Sequence, residues 1–162
     1  MIETTLVLVK PDGIKRGLVG EIISRFERVG LKIVGGKMVW VDEEFAKRHY
    51  TEDISKRHGE IIRKNLLKFI IEGPVLAMVL EGSSAISNVR KIIGDTEPKK
   101  AAPGTIRGDF AHISYKYSDD KEITVKNLVH ASANKEDAKH EINLWFKNEE
   151  LHSYKTILED HL

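Results

Sequence analysis

The chain has 162 residues, 41% of them hydrophobic and 31% charged, with a net charge of +1 and no cysteine. A chain of this length can bury about two thirds of its unfolded surface around one core, so one domain spanning 1–162 is expected. Missing cysteines exclude a disulfide framework and thiolate chemistry, near-neutral charge argues against bulk coating of nucleic acid, and no apolar run approaches the roughly 20 residues of a membrane span. The first residues hold no basic segment ahead of the short apolar run Leu6-Val7-Leu8-Val9, so a secretory signal is not expected and the cytoplasm is.

In chain order, residues 4–10 read as a β-branched apolar strand, and Pro11-Asp12-Gly13 as the turn that ends it. Val19, Ile22, Ile23, Phe26 and Val29 recur at helical spacing and Gly30 stops them, predicting a helix over 18–29. Residues 31–41 form a second strand candidate. Asp42 is placed to cap a short helix over 43–50, His58-Gly59 reads as a break, and Ile61, Ile62, Leu66, Phe69 and Ile70 stripe a further helix ended by Gly73-Pro74.

Residues 75–80 read as a buried strand, followed by Ser83 or Ser84 as N-cap of a helix through Ile86, Val89 and Ile93. The stretch 95–109 reads as a long loop, a kind of segment that often carries function. Residues 122–129 form the last strand candidate, and Asn134 caps a helix striped by Ala138, Ile142, Trp145 and Phe146. The tail 148–162 mixes Leu151, Tyr154, Ile157 and Leu158 with charge, so it is expected to pack against the domain or a neighbouring subunit. The order predicts an α+β, ferredoxin-like βαββαβ fold, a four-stranded antiparallel sheet with helices packed on one face.

Polar, phosphate-competent residues gather where these elements end: Lys10-Pro11-Asp12-Gly13, Arg90 to Thr96, Gly104-Thr105-Ile106-Arg107-Gly108-Asp109-Phe110, and Asn127-Leu128-Val129-His130-Ala131-Ser132. With Arg16-Gly17-Leu18-Val19-Gly20-Glu21-Ile22-Ile23, these segments resemble, in order and approximate spacing, those of nucleoside diphosphate kinases. The resemblance runs from about residue 3 to 155.

It implies a ping-pong enzyme in which a nucleoside triphosphate phosphorylates His130 and an acceptor diphosphate collects the group. Phosphoryl transfer relies on positioning and cationic stabilisation, and a neutral imidazole is a competent nucleophile for it. By the same resemblance, Ser132 and Glu141 hydrogen-bond near that histidine. Arg90, Thr96 and Arg107 hold the phosphates, and Lys10 and Asn127 meet ribose and phosphate with Tyr50 beside them. Recognition through sugar and phosphate implies broad base use. The implied partners are ATP and other nucleoside di- and triphosphates, with Mg2+ arriving on the phosphates rather than in a protein cage, and copies of the chain in a homo-hexamer or a tetramer. The histidines at 49, 58, 112, 140, 152 and 161 read as ordinary surface or core residues.

The chain departs from the family pattern in three places. Ala133 stands where an acidic residue is usual. The segment between Tyr50 and Pro74 is longer than the common form and lacks the phenylalanine on which the base stacks; counting back from Gly73-Pro74 puts Ile62 there, and counting forward from Tyr50 puts His58. The segment 111–126 is also longer, and Ser118-Asp119-Asp120-Lys121 between Tyr115-Lys116-Tyr117 and Ile123-Thr124-Val125 predicts an inserted β-hairpin of the kind found in archaeal members. Two other readings remain open: a relative that binds nucleotide without turnover, and a nucleic-acid-binding sheet. The second lacks both paired aromatics on a central strand and a basic excess.

Overall fold

The computed structural model describes residues 2–160. Four antiparallel strands, β1 (Ile2–Val9), β2 (Lys32–Val39), β3 (Val75–Ser83) and β4 (Val129–Ala131), lie in the order β2-β3-β1-β4. Among the described residues nine α-helices run around them: α1 (Pro11–Lys15), α2 (Val19–Glu27), α3 (Glu43–His49), α4 (Glu52–His58), α5 (Glu60–Ile70), α6 (Ala85–Ile93), α7 (Ile106–Phe110), α8 (Tyr115–Asp120) and α9 (Lys135–Trp145). This is the split βαββαβ order expected from the sequence.

Helices cover both faces of the sheet rather than one. In β1, Val7 and Val9 join Ile22, Phe26, Val89 and Ile93 on one side, while Leu6 and Leu8 join Tyr50, Ile70, Ile142 and Trp145 on the other. Side chains of a strand alternate between faces, so a run of four fully buried residues requires a cover on each. Each such aliphatic side chain contributes about 1.5–3 kcal/mol through burial.

Local signals behave as their chemistry dictates. The Asp42 carboxylate accepts from the Phe45 N–H at 2.8 Å and caps α3, and the Asn134 side chain accepts from the Asp137 N–H at 2.8 Å and caps α9. Gly59, at φ 96°, makes the break between α4 and α5. Ser84 precedes α6 but offers no side-chain cap. Pro11-Asp12-Gly13 opens the short helix α1 instead of forming a simple turn, with proline in the first turn where its missing N–H costs nothing.

The predicted hairpin over 115–125 is absent, and its first half is α8. The Ser114 hydroxyl accepts from the Tyr117 N–H at 3.2 Å, and Ser118 N–H bonds the Ser114 carbonyl at 3.1 Å, so a capped helical turn forms where alternation suggested a strand. The last strand is also shorter than the predicted 122–129. Leu128 adopts a left-handed φ of 71°, which interrupts the extended run just before β4.

The tail packs along β2, one of the two alternatives left open above. A bulge between Ile33 and Gly35 leaves Val34 outside the ladder, and its carbonyl accepts from the His152 N–H at 2.7 Å. The Tyr154 hydroxyl donates to the Ile33 carbonyl at 2.8 Å, and Lys32 bonds both the Tyr154 carbonyl and Glu159. Residues 161–162, with His161, and the side chain of Leu158 lie outside what is described.

Candidate active site

The ends of β1 and β4 lie side by side, and the loops leaving them converge. His130 sits in β4 opposite Leu8 of β1. Its Nε2 meets Glu141 Oε1 at 2.8 Å, and the Ser132 hydroxyl donates to Glu141 Oε2 at 2.5 Å while accepting from the Leu6 N–H. Burial alone would raise the Glu141 pKa; His130, with contributions from His49 and Ser132, overrides it and holds the carboxylate down at about 2. An ionised carboxylate only accepts, so His130 Nε2 carries the proton and Nδ1 of the neutral ring keeps its lone pair.

Cations gather on the β1 side. Lys10, nearly fully buried, follows β1 directly; its ammonium bonds Asn127 Oδ1 and lies 5.4 Å over the Phe69 ring. Burial, opposed by Asp12 and aided by Arg107, brings Lys10 down to about 8. The Asn127 amide donates to the Thr96 carbonyl at 2.7 Å, which draws the loop after α6 onto the same site. Thr96 itself is exposed, as is Arg90 on α6.

Arg107, in α7, does more than the loop reading implied. Its guanidinium donates to the carbonyls of Asn127 at 3.2 Å, Gly94 at 2.9 Å and Val129 at 2.7 Å, pinning three segments together. A guanidinium has five N–H donors, so donors remain for a ligand after these three bonds. Burial first, then the neighbouring charge of Arg90, lowers Arg107 to about 10, where it is still a cation at neutral pH.

Tyr50 is buried at the end of α3, where its carbonyl accepts from Arg63 Nε at 2.8 Å. Burial, with Glu141 and Asp12, pushes its phenol above the ordinary range. Ile62 is 42% exposed on α5, on the helix stripe that seven residues later carries Phe69 against Lys10. His58 is exposed at the end of α4. Ala133 lies with Arg90 on the wall of an open depression of about 540 Å³ beside the site.

Two residues of the site were not singled out from sequence. Asp12 Oδ2 accepts from the Leu128 N–H at 3.0 Å, and Lys10 N–H donates to the Leu128 carbonyl at 2.8 Å, so the strained residue before β4 is held from both sides. Asp12 lies inside the Lys10-Pro11-Asp12-Gly13 motif, which was the available signal. His49 packs edge-on against His130 with ring centroids 4.7 Å apart. Burial and then His130, against the pull of Glu141, push the His49 pKa down to about 3, so it is neutral. Its adjacency to Tyr50 was the only hint. Of the other histidines read as ordinary, His58, His112, His140 and His152 are exposed.

A carboxylate-braced imidazole beside buried lysine and arginine, on an antiparallel α+β sheet, defines the class: a phosphotransferase that works through histidine. A family model described as nucleoside diphosphate kinase matches residues 3–151. The chain is 53% identical over 156 residues to a nucleoside diphosphate kinase from Borreliella burgdorferi, covering 96% of this chain and 93% of that one. It is 53% identical over 152 residues to one from Pyrococcus horikoshii, covering 94% and 90%. Among solved structures, a transition-state mimic of the Borrelia burgdorferi enzyme with bound vanadate and ADP superposes with a TM-score of 0.97 at 52% identity, covering 99% and 96%. A halophilic nucleoside diphosphate kinase from Halobacterium salinarum in complex with CDP gives 0.84 at 39% identity, covering 99% and 98%. The chain belongs to the nucleoside diphosphate kinase family. It is a kinase that passes phosphate between nucleotides through a phosphohistidine.

Proposed function

We propose that His130 carries the phosphoryl group and that Nδ1 is the attacking atom. The observation that supports this most directly is the hydrogen bond from His130 Nε2 to Glu141, which leaves the Nδ1 lone pair free. The Nδ1 lone pair forms a bond to the γ-phosphorus of a nucleoside triphosphate, the bond from that phosphorus to the bridging oxygen breaks, and the diphosphate leaves with the electron pair. An acceptor diphosphate then reverses the step. Glu141 balances the positive charge that the ring acquires, and Ser132 fixes Glu141.

Lys10, Arg90, Thr96 and Arg107 serve the phosphates in this reading, and Lys10, Asn127 and Tyr50 the ribose side. Ile62 forms the base shelf. An aliphatic shelf forgoes part of the aromatic stacking worth about 1–3 kcal/mol per base, and with sugar and phosphate contacts dominant the enzyme accepts purines and pyrimidines alike.

Magnesium belongs to the nucleotide rather than to the protein. Among the described residues the group with metal-ligand spacing is His49, His130 and Glu141, a nitrogen-rich set unsuited to a cation that prefers oxygen ligands. Asp12 Oδ1, buried and without a hydrogen-bond partner among the described residues, fits a water on such an ion. Bound to the phosphates, the ion would neutralise charge as it spreads over their oxygens.

Residues 1–162 act as one domain, in the cytoplasm and as a homo-hexamer, with a tetramer as the other assembly. No described helix is long and apolar enough to cross a membrane. Light scattering on the purified chain checks the assembly: a mass of six chains is expected, and a monomer refutes the proposal.

Incubation with γ-labelled ATP and magnesium is expected to give an acid-labile, base-stable phosphoprotein that any nucleoside diphosphate discharges. His130→Ala is expected to abolish the label while nucleotide binding persists. A folded His130→Ala protein that still labels and discharges overturns the assignment.

A further inference from the structure

His49 lies in the centre of the site with no role assigned to it. Its ring is held from three directions. Trp145 stands edge-on at 5.4 Å and 87°, and its indole Nε1–H donates to His49 Nδ1 at 3.2 Å. Tyr50 packs at 4.6 Å, tilted by 56°. On the remaining contact the His130 ring meets it at 4.7 Å and 86°.

The tautomer follows from these partners. Indole N–H can only donate, so His49 Nδ1 must accept and Nε2 must carry the proton. Nε2 is shielded from solvent and has no hydrogen-bond partner among the described residues. A metal reading of His49, His130 and Glu141, whose ligand atoms lie within 4.8 Å of one another, fails on this point. Ligation through Nε2 would move the proton to Nδ1, where it would confront the Trp145 N–H.

We propose that His49 is a positioning residue for phosphoryl transfer: wedged between Trp145 and His130, its ring fixes the rotation of the His130 imidazole that presents Nδ1 to the phosphate. Glu141 and Trp145 are four residues apart on α9 and so share a face. One helix thereby holds His130 twice, at Nε2 through Glu141 and on the ring through the Trp145–His49 pair. A single hydrogen bond to Nε2 leaves the ring free to pivot about that contact; a perpendicular neighbour removes that freedom. The inference rests on the proposal that His130 is the nucleophile.

The test is single-turnover labelling of the full chain with γ-labelled ATP, beside nucleotide affinity and the 15N spectrum of the His130 ring. His49→Ala is expected to slow phosphoenzyme formation about 10–100-fold, as small misplacements of a reacting group do. Nucleotide Kd is expected to stay within about twofold of wild type, and the His130 nitrogen signals to broaden as the ring pivots while Nε2, still bonded to Glu141, keeps its proton. His49→Phe, which keeps a ring of similar shape, is expected to recover most of the rate and remains informative if the alanine variant does not fold. A folded His49→Ala protein that labels at the wild-type rate overturns the proposal, as does a folded His49→Phe protein as slow as His49→Ala. Absence of label on wild-type His130 refutes the nucleophile assignment itself, and so is distinguishable from either outcome.

Discussion

Glu141 meets two side chains at once, with one oxygen on His130 and the other on Ser132, and its ionised state sets the tautomer of the histidine. Glu141→Gln keeps the shape and removes the charge. The amide has one acceptor oxygen for two partners that both donate, so one contact is lost. Phosphoenzyme formation is expected to fall about 10–100-fold with nucleotide affinity preserved, measured by quenched-flow labelling beside equilibrium titration. An unchanged rate would show that the carboxylate charge is idle. Lys10, Asn127, His130, Ser132 and Arg107 were legible as candidates because each lies in a segment resembling the family's motifs, and Glu141 because it matches a family position on the helix that follows His130. Neither the three-carbonyl anchoring by Arg107 nor the place of His49 was legible, since each joins residues far apart in sequence.

At the scale of elements, α7 shows how closely the phosphate loop is packed. Thr105 Oγ1 accepts from the Gly108 N–H and caps the helix, and a Cβ on Gly108 would stand 2.0 Å from the Ala102 carbonyl oxygen. Backbone on both sides of that contact leaves little room to relax. Gly108→Ala is expected to cost about 1–3 kcal/mol in urea denaturation and to weaken nucleotide binding, because Arg107 is the adjacent residue. Wild-type values for both would refute the packing argument. The elements bounded by strong caps or by glycine, α3, α9 and the α4–α5 break, were readable because their chemistry is local. The stretch 115–125 was misread because short β-branched alternation is compatible with a strand only when another strand lies beside it. Here the Asn65 amide bonds the Glu122 carbonyl and the Tyr115 N–H bonds Glu97, so side chains hold the backbone that a ladder would have.

For the whole molecule, two half-buried groups make acid destabilising. Glu141 has a folded pKa of about 2 against an ordinary 4.5, so its contribution is full above pH 4.5 and is lost as pH falls towards 2. His49 has a folded pKa of about 3 against an ordinary 6.5; between those values the unfolded chain binds a proton that the folded chain does not, so stability again falls with falling pH. The slope from one such group is at most about 1.4 kcal/mol per pH unit. Urea midpoints at pH 7, 6 and 5 are expected to decline, and His49→Phe is expected to flatten the decline across that range. A wild-type midpoint that holds constant from pH 7 to 5 would contradict this account.

The βαββαβ order of the core elements, the caps of α3 and α9, and the segments bearing lysine, arginine and histidine were determined by the sequence itself. Periodicity, capping and turn chemistry act over a few residues and leave their mark there. Tertiary structure alone decided that helices cover both faces of the sheet, that α8 replaces a hairpin, that the tail seals the bulge in β2, and that His49 stands against His130. Each of these depends on which distant backbone or ring occupies the neighbouring space, and a partner dozens of residues away imposes no pattern on the local sequence.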